Sequence, residues 1–287
     1  MIPAQFDYVR AKSAQEAVQL LKETDGEGTL LAGGHSLLPL LKFRITEPGT
    51  LVDISKIQEL KGVRIEEERL IVGALTTHDE VVNDPTIEEN IPALAKAASV
   101  IGDIQIRNRG TIGGNLAHGD PVADYPAIAL ALNAELKIET EDGTEEMPLD
   151  GFVMGPLITM IPENGIVTEV SLELPPTHTK QTYLKFFHPA TAYPVVGVAV
   201  VAGVDDAGVI DYLRVGITGV SDVAYRAEEV EEALLGKKPT KDAIKEAAEL
   251  ATEDGDMGED LFASEEYREH LTKVYVKRAL NEVLLTK

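Results

Sequence analysis

The 287-residue sequence has 44% hydrophobic residues, enough for a packed core and for two or three domains. Its 26 Lys plus Arg against 49 Asp plus Glu give a formal net charge of −23 at pH 7, which disfavours unspecific binding to nucleic acid or to anionic membranes. There is no cysteine, so disulfides, cysteine-ligated iron–sulfur clusters and thiolate catalysis are excluded.

The start, Met1-Ile2-Pro3-Ala4-Gln5-Phe6-Asp7, lacks the basic and apolar stretches of a signal peptide, so the expected compartment is the cytoplasm. Ser13-Ala14-Gln15-Glu16 has the spacing of a capping box, and Ala17, Val18, Leu20 and Leu21 follow at helical spacing. A short strand, Thr29 to Leu31, runs into Gly33-Gly34, and Leu37, Leu38, Leu40 and Leu41 predict a helical turn after it. Leu51 to Ile54 reads as the next strand, which makes the first 55 or so residues a small α/β unit.

Leu70 to Gly73 opens a second unit, and Thr77-His78-Asp79-Glu80 is another capping-box pattern. The Ala-rich stretch Ile91 to Val100 predicts a helix, a second glycine turn follows at Gly110 to Gly114, and Tyr125 to Leu132 reads as helix. Leu136 to Thr140 and Thr144 to Met147 form a hairpin around Asp142-Gly143, and Ile166 to Leu174 alternates like a half-buried strand. Pro175-Pro176-Thr177-His178 marks a boundary. Beyond it Tyr183 to Phe187, Val195 to Val204 and Val209 to Thr218 are strand-like. The run from Val195 is too short for a bilayer and reads as a buried strand. From about Ala227 the chain is helical. The expected class is α+β: a first subdomain over 1–55, a second over 56–176, and a C-terminal antiparallel sheet covered by helices over 177–287.

The two glycine turns carry the chemistry. Backbone without a β-carbon can approach an anion and aim successive N–H groups at it. Gly33-Gly34 precedes a helical turn whose N-terminus adds a positive end, and Ser36 adds a hydroxyl. Gly113-Gly114-Asn115 repeats the pattern with Thr111 as a polar partner. Each alone is equally a tight strand-to-helix turn; the pair suggests a diphosphate held in a crevice between two units. Neither fits the phosphate loop with its lysine or the nicotinamide fingerprint. His118-Gly119-Asp120 lacks metal-ligand spacing, and the acidic stretch Glu253 to Asp260 lacks the spacing of a calcium loop, so no metal site is expected.

Three stretches carry a family resemblance: Leu31-Ala32-Gly33-Gly34-His35-Ser36-Leu37, Gln105 to Asn115 with Thr111-Ile112-Gly113-Gly114-Asn115, and Asp120-Pro121-Val122-Ala123-Asp124-Tyr125-Pro126. Together they resemble the medium subunit of molybdenum hydroxylases, the family of carbon monoxide dehydrogenase and xanthine dehydrogenase-like enzymes, over nearly the whole chain. The resemblance implies a vanillyl-alcohol-oxidase (PCMH)-type FAD-binding fold of two subdomains and a C-terminal α+β domain. It implies FAD contacts from Ala32, Gly33, Gly34, His35, Ser36 and Leu37 and from Thr111, Ile112, Gly113, Gly114 and Asn115. Asp124 matches the family acid near the cofactor, or else caps the following helix; Lys185 and Tyr193 match a segment facing the flavin, or Tyr193 packs in the core. Where the family often has a basic run after Lys185, this sequence has Phe186-Phe187-His188-Pro189. Arg107 and Arg109 either pair with acids that shape the second turn or reach phosphate directly. The implied partners are a large subunit with the molybdenum cofactor and a small subunit with [2Fe–2S] clusters, in a dimer of heterotrimers, and the absent cysteines agree with that division. No catalytic side chain is required of this chain. The competing readings are a stand-alone flavin oxidase or reductase of related fold and a flavin-free assembly protein.

Overall fold

The computed structural model describes residues 2–286. A small parallel sheet comes first: β1 (Asp7–Arg10), α1 (Ala14–Lys22), β2 (Gly28–Leu31), α2 (Leu37–Phe43) and β3 (Thr50–Asp53), with β3 between β1 and β2. Ser13 starts α1 by accepting the Glu16 N–H; Glu16 reaches back one residue further than a capping box would, to the Lys12 N–H. α1 buries Ala14, Ala17, Val18 and Leu21, the residues at helical spacing. Leu75 and Ile166, from the next unit, complete that small core.

The second unit is a five-stranded antiparallel sheet with a helical layer. In chain order it contains β4 (Val63–Glu66), β5 (Arg69–Gly73), α3 (His78–Asn83), α4 (Pro85–Asn90), α5 (Pro92–Ser99), α6 (Ile104–Arg107), α7 (Ile112–His118) and α8 (Tyr125–Ala131). The hairpin β6 (Glu135–Thr140) and β7 (Gly143–Pro148), the ribbon β8 (Val153–Gly155) and β9 (Ile158–Thr159), and β10 (Ile166–Glu173) complete it. The sheet order is β4-β5-β10-β6-β7. Thr77 closes a full capping box with Glu80 at the start of α3.

The C-terminal unit is a four-stranded antiparallel sheet, β11 (Lys180–Phe187), β12 (Pro194–Val204), β13 (Ile210–Thr218) and β14 (Tyr225–Arg226), followed by α9 (Glu228–Leu234), α10 (Lys241–Ala248) and α11 (Glu265–Leu285). β12 is apolar without interruption because both of its faces are covered. Val196, Val198, Val200 and Ala202 face the core shared with α9 to α11. Ala199 and Val201 face the other way, together with Tyr183 of β11, into the core that holds Leu70, Leu94, Tyr125, Ile128 and Val170 of the second unit. That core crosses Pro175-Pro176 without a break. Among the described residues no helix is long and apolar enough to cross a membrane.

Candidate flavin site

The two glycine motifs meet. A cavity of about 450 Å³ opens between the small parallel sheet and the second unit, lined by Ala32 to Leu37 on one side and by Thr111, Gly113, Gly114 and Asn115 on the other. This volume falls within the range of small-molecule and cofactor sites. A β-carbon on Gly33 would stand 2.1 Å from the Arg109 carbonyl oxygen, so only glycine lets the two chain segments cross.

The two motifs present different chemistry. Among the described residues the N–H groups of Gly33, Gly34, His35, Ser36 and Leu37 meet no protein acceptor. Gly34 is at φ +77°, the left-handed turn that glycine allows, in a segment that lines the cavity. The His35 ring bonds back to its own turn, Nδ1 to the Gly33 carbonyl at 3.0 Å, which leaves its backbone N–H as its contribution.

The second motif departs from the expected turn. Thr111 caps α7, so Gly113, Gly114 and Asn115 lie in the helix itself. Their N–H groups are engaged: Ile112 to Thr76 O, Gly113 to Ala74 O, Gly114 to the Thr111 hydroxyl and Asn115 to Thr111 O. It is therefore not a second cradle of free amides. Gly113 is small because a β-carbon there would lie 2.3 Å from that of Ala74. Gly114 is different: its side-chain direction is open toward Ala32, 4.0 Å away, apart from the Thr111 hydroxyl. Asn115 Oδ1 is buried on the wall with no hydrogen-bond partner.

Ile112, Asp124, Lys185 and Tyr193 do not line this cavity. Ile112 is a core residue. Asp124 makes no capping bond to α8; it accepts from Tyr183 Oη at 2.7 Å and from Lys185 Nζ at 2.9 Å. Lys185 also donates to Val100 O at 3.0 Å. Both side chains are buried, and desolvation opposes both charges, pushing the Asp124 carboxyl up to about 6 and the Lys185 ammonium below its ordinary value. Tyr193 is half exposed, with its hydroxyl raised by burial and then by Asp120 and Asp124. Among the described residues Arg107 pairs with no acid; it donates to the carbonyls of Ile101 and Gly102.

Comparison with known proteins places this architecture. Residues 4–175 match the family described as FAD binding domain in molybdopterin dehydrogenase, and residues 181–283 match the CO dehydrogenase flavoprotein C-terminal domain. The chain belongs to this family of FAD-binding dehydrogenase subunits. It is 38% identical to the carbon monoxide dehydrogenase medium chain of Hydrogenophaga pseudoflava, covering 98% of both chains. It is 32% identical to the glyceraldehyde dehydrogenase medium chain of Sulfolobus acidocaldarius, over 99% of this chain and all of that one. The solved carbon monoxide dehydrogenase from Hydrogenophaga pseudoflava superposes with a TM-score of 0.94 at 40% identity, over 99% of this chain and 98% of that one. The fold is thus the α+β FAD-binding domain followed by an antiparallel sheet with helices, and the chain is an FAD-dependent oxidoreductase subunit of the family's medium-chain type.

The cavity fits the family's cofactor. It offers five free amides for a diphosphate, a glycine crossing that a β-carbon would fill, and an orphaned Asn115 acceptor for a hydroxyl or amide donor. Reading the sequence missed much of the wall: Thr29, Leu30 and Ile54 from the first sheet, Ala74, Leu75 and His78 after β5, and Ile161 with Asn164 to Val167 before and within β10. The Thr77 to Glu80 cap was the one local signal pointing toward His78.

Proposed function

We propose that this chain is the FAD-carrying medium subunit of a heteromeric molybdenum hydroxylase. The observation that carries the reading is the row of unpaired amides at Gly33 to Leu37 facing Gly114 and Asn115 across one cavity. Those amides bind the diphosphate, Thr111 and Asn115 orient the rest of the dinucleotide, and the glycine crossings keep the walls at the needed separation. Ile112 shapes this wall from the core behind it. The chemistry that FAD supplies when bound is electron relay between [2Fe–2S] clusters on a small partner subunit and an external acceptor. The substrate is oxidised at a molybdenum centre on a large partner subunit. The sequence has no cysteine to hold such clusters itself, which supports that division. The complex is a cytoplasmic dimer of heterotrimers. We assign the first FAD subdomain to 1–55, the second to 56–176 and the C-terminal domain to 177–287. Asp124, Lys185 and Tyr193 support the flavin from the C-terminal side of the site.

The test is reconstitution of the full chain with FAD, followed by co-purification from its native host and metal analysis. Stoichiometric flavin, and partners carrying molybdenum and iron, are expected. A folded chain that takes up no FAD overturns the reading, and turnover of an organic substrate by the chain alone replaces it with a self-contained flavin enzyme.

A further inference from the structure

His78 stands on the cavity wall and has no role in the reading above. It is 4% exposed. Its Nδ1 lies 2.9 Å from the hydroxyl of Tyr125, which is fully buried. Among the described residues its Nε2 has no hydrogen-bond partner. His78 itself lines the flavin cavity.

The surroundings fix the tautomer. Tyr125 is sealed in the core, and His78 is its hydroxyl's partner. A buried hydroxyl hydrogen left unpaired is costly, so the Tyr125 O–H donates to Nδ1. Nδ1 is then an acceptor, and the ring proton sits on Nε2. Burial holds the imidazole neutral, its pKa lowered to about 4, and the neighbouring His35 and Arg107 act in the same direction. The ring also has a defined place. It packs under Gly110, where a β-carbon would stand 2.6 Å from Nε2, and Gly110 in turn lies against Gly33. His78 N–H donates to Gly110 O at 2.9 Å, so the ring and the glycine crossing are tied together.

We propose that His78 is a further FAD-binding residue, donating a hydrogen bond from Nε2–H to an oxygen of the dinucleotide's diphosphate beside the Gly33 crossing, with Tyr125 as the positioning residue that holds the proton on Nε2. This inference rests on the flavin reading of the cavity and adds to it a side-chain donor from α3.

The test uses the full chain with its six histidines labelled with ¹⁵N, titrated with FAD. His78 is identified by the signal lost in His78→Gln. In the flavin-free chain its signals take the pattern of the Nε2-protonated neutral tautomer, and FAD shifts the Nε2 resonance. His78→Leu weakens FAD binding roughly 10–100-fold, while His78→Gln, which keeps an N–H at that position, stays within about threefold of the parent chain. A His78 spectrum with the proton on Nδ1, a silent His78 at stoichiometric bound FAD, or unchanged affinity in folded His78→Leu overturns the proposal and leaves the flavin reading intact. Failure of the parent chain to bind FAD overturns both.

Discussion

The backbone of Gly33 crosses that of Arg109 so closely that a β-carbon at position 33 would also stand 2.9 Å from the Gly110 α-carbon. Real β-carbons do not approach backbone that closely, so Gly33→Ala must separate the two segments. We expect it to cost roughly 1–3 kcal/mol in urea unfolding and to lose FAD as well. Gly114→Val weighs more on binding, because its β-carbon meets the Thr111 hydroxyl at 2.8 Å and otherwise only Ala32, 4.0 Å away on the opposite cavity wall. Displacing that cap should cost about 0.5–2 kcal/mol, and the folded variant is the one compared. FAD at one hundred times its Kd should stabilise the parent by about 2.7 kcal/mol and leave Gly114→Val unmoved. A flavin-induced Tm shift in Gly114→Val would displace the diphosphate from this crossing.

Asn115 trades stability for binding. Its Oδ1 is buried without a partner in the flavin-free chain. Such an atom costs about 1–3 kcal/mol. Asn115→Leu should therefore be at least as stable as the parent without FAD, and should bind FAD several-fold more weakly. Calorimetric melting with and without FAD checks both halves, and loss of stability in the flavin-free variant would contradict the assignment.

The neutral His78 makes the flavin-free chain acid-sensitive. Its folded pKa of about 4 lies below the ordinary 6.5, so between these values the unfolded chain binds the proton and the folded chain does not. The stability from this group is fully present above about pH 6.5 and is lost as the pH falls toward 4, up to about 3 kcal/mol. His78→Gln does not titrate, so its stability should fall less than that of the parent between pH 6.5 and 4.5 in urea unfolding. Parallel slopes would place the acid sensitivity elsewhere.

The buried Asp124–Lys185 pair predicts a non-additive cycle. Desolvation resists both charges, while Tyr183 and Val100 satisfy part of each group. Lys185→Met leaves the carboxylate alone and should cost roughly 3 kcal/mol near pH 7.5. The cost should shrink at pH 5, where Asp124 takes up a proton. The double variant Asp124→Asn with Lys185→Met should recover most of the loss, because neither charge then has to be buried. Additive losses in urea unfolding would mean that the two groups act independently.

Much of this was legible from local patterns. The caps at Ser13 and Thr77, the alternation from Ile166 and the apolar run from Val195 each name their own element, because neighbouring residues determine them. β1 was not legible: Asp7, Tyr8 and Arg10 are exposed and show no alternation, and β1 exists through pairing with β3, far along the chain. The second glycine motif lies across one cavity from the first, yet its sequence reads as a turn. Two adjacent glycines argue against helix locally, and the Thr111 cap with the fit of Gly113 against Ala74 overrides them. The state of His78 was beyond local reading, since a tyrosine 47 residues away sets it.

The core that runs unbroken past Pro175-Pro176 bears on how such subunits can be recombined. Tyr183, Ala199 and Val201 share one core with Tyr125, whose hydroxyl meets His78 on the cavity wall. A chimera joined at the double proline would exchange half of a jigsaw rather than a module, and would put foreign side chains beneath the flavin pocket. Productive grafts between medium chains would have to carry β11 and β12 along with the nucleotide-binding half.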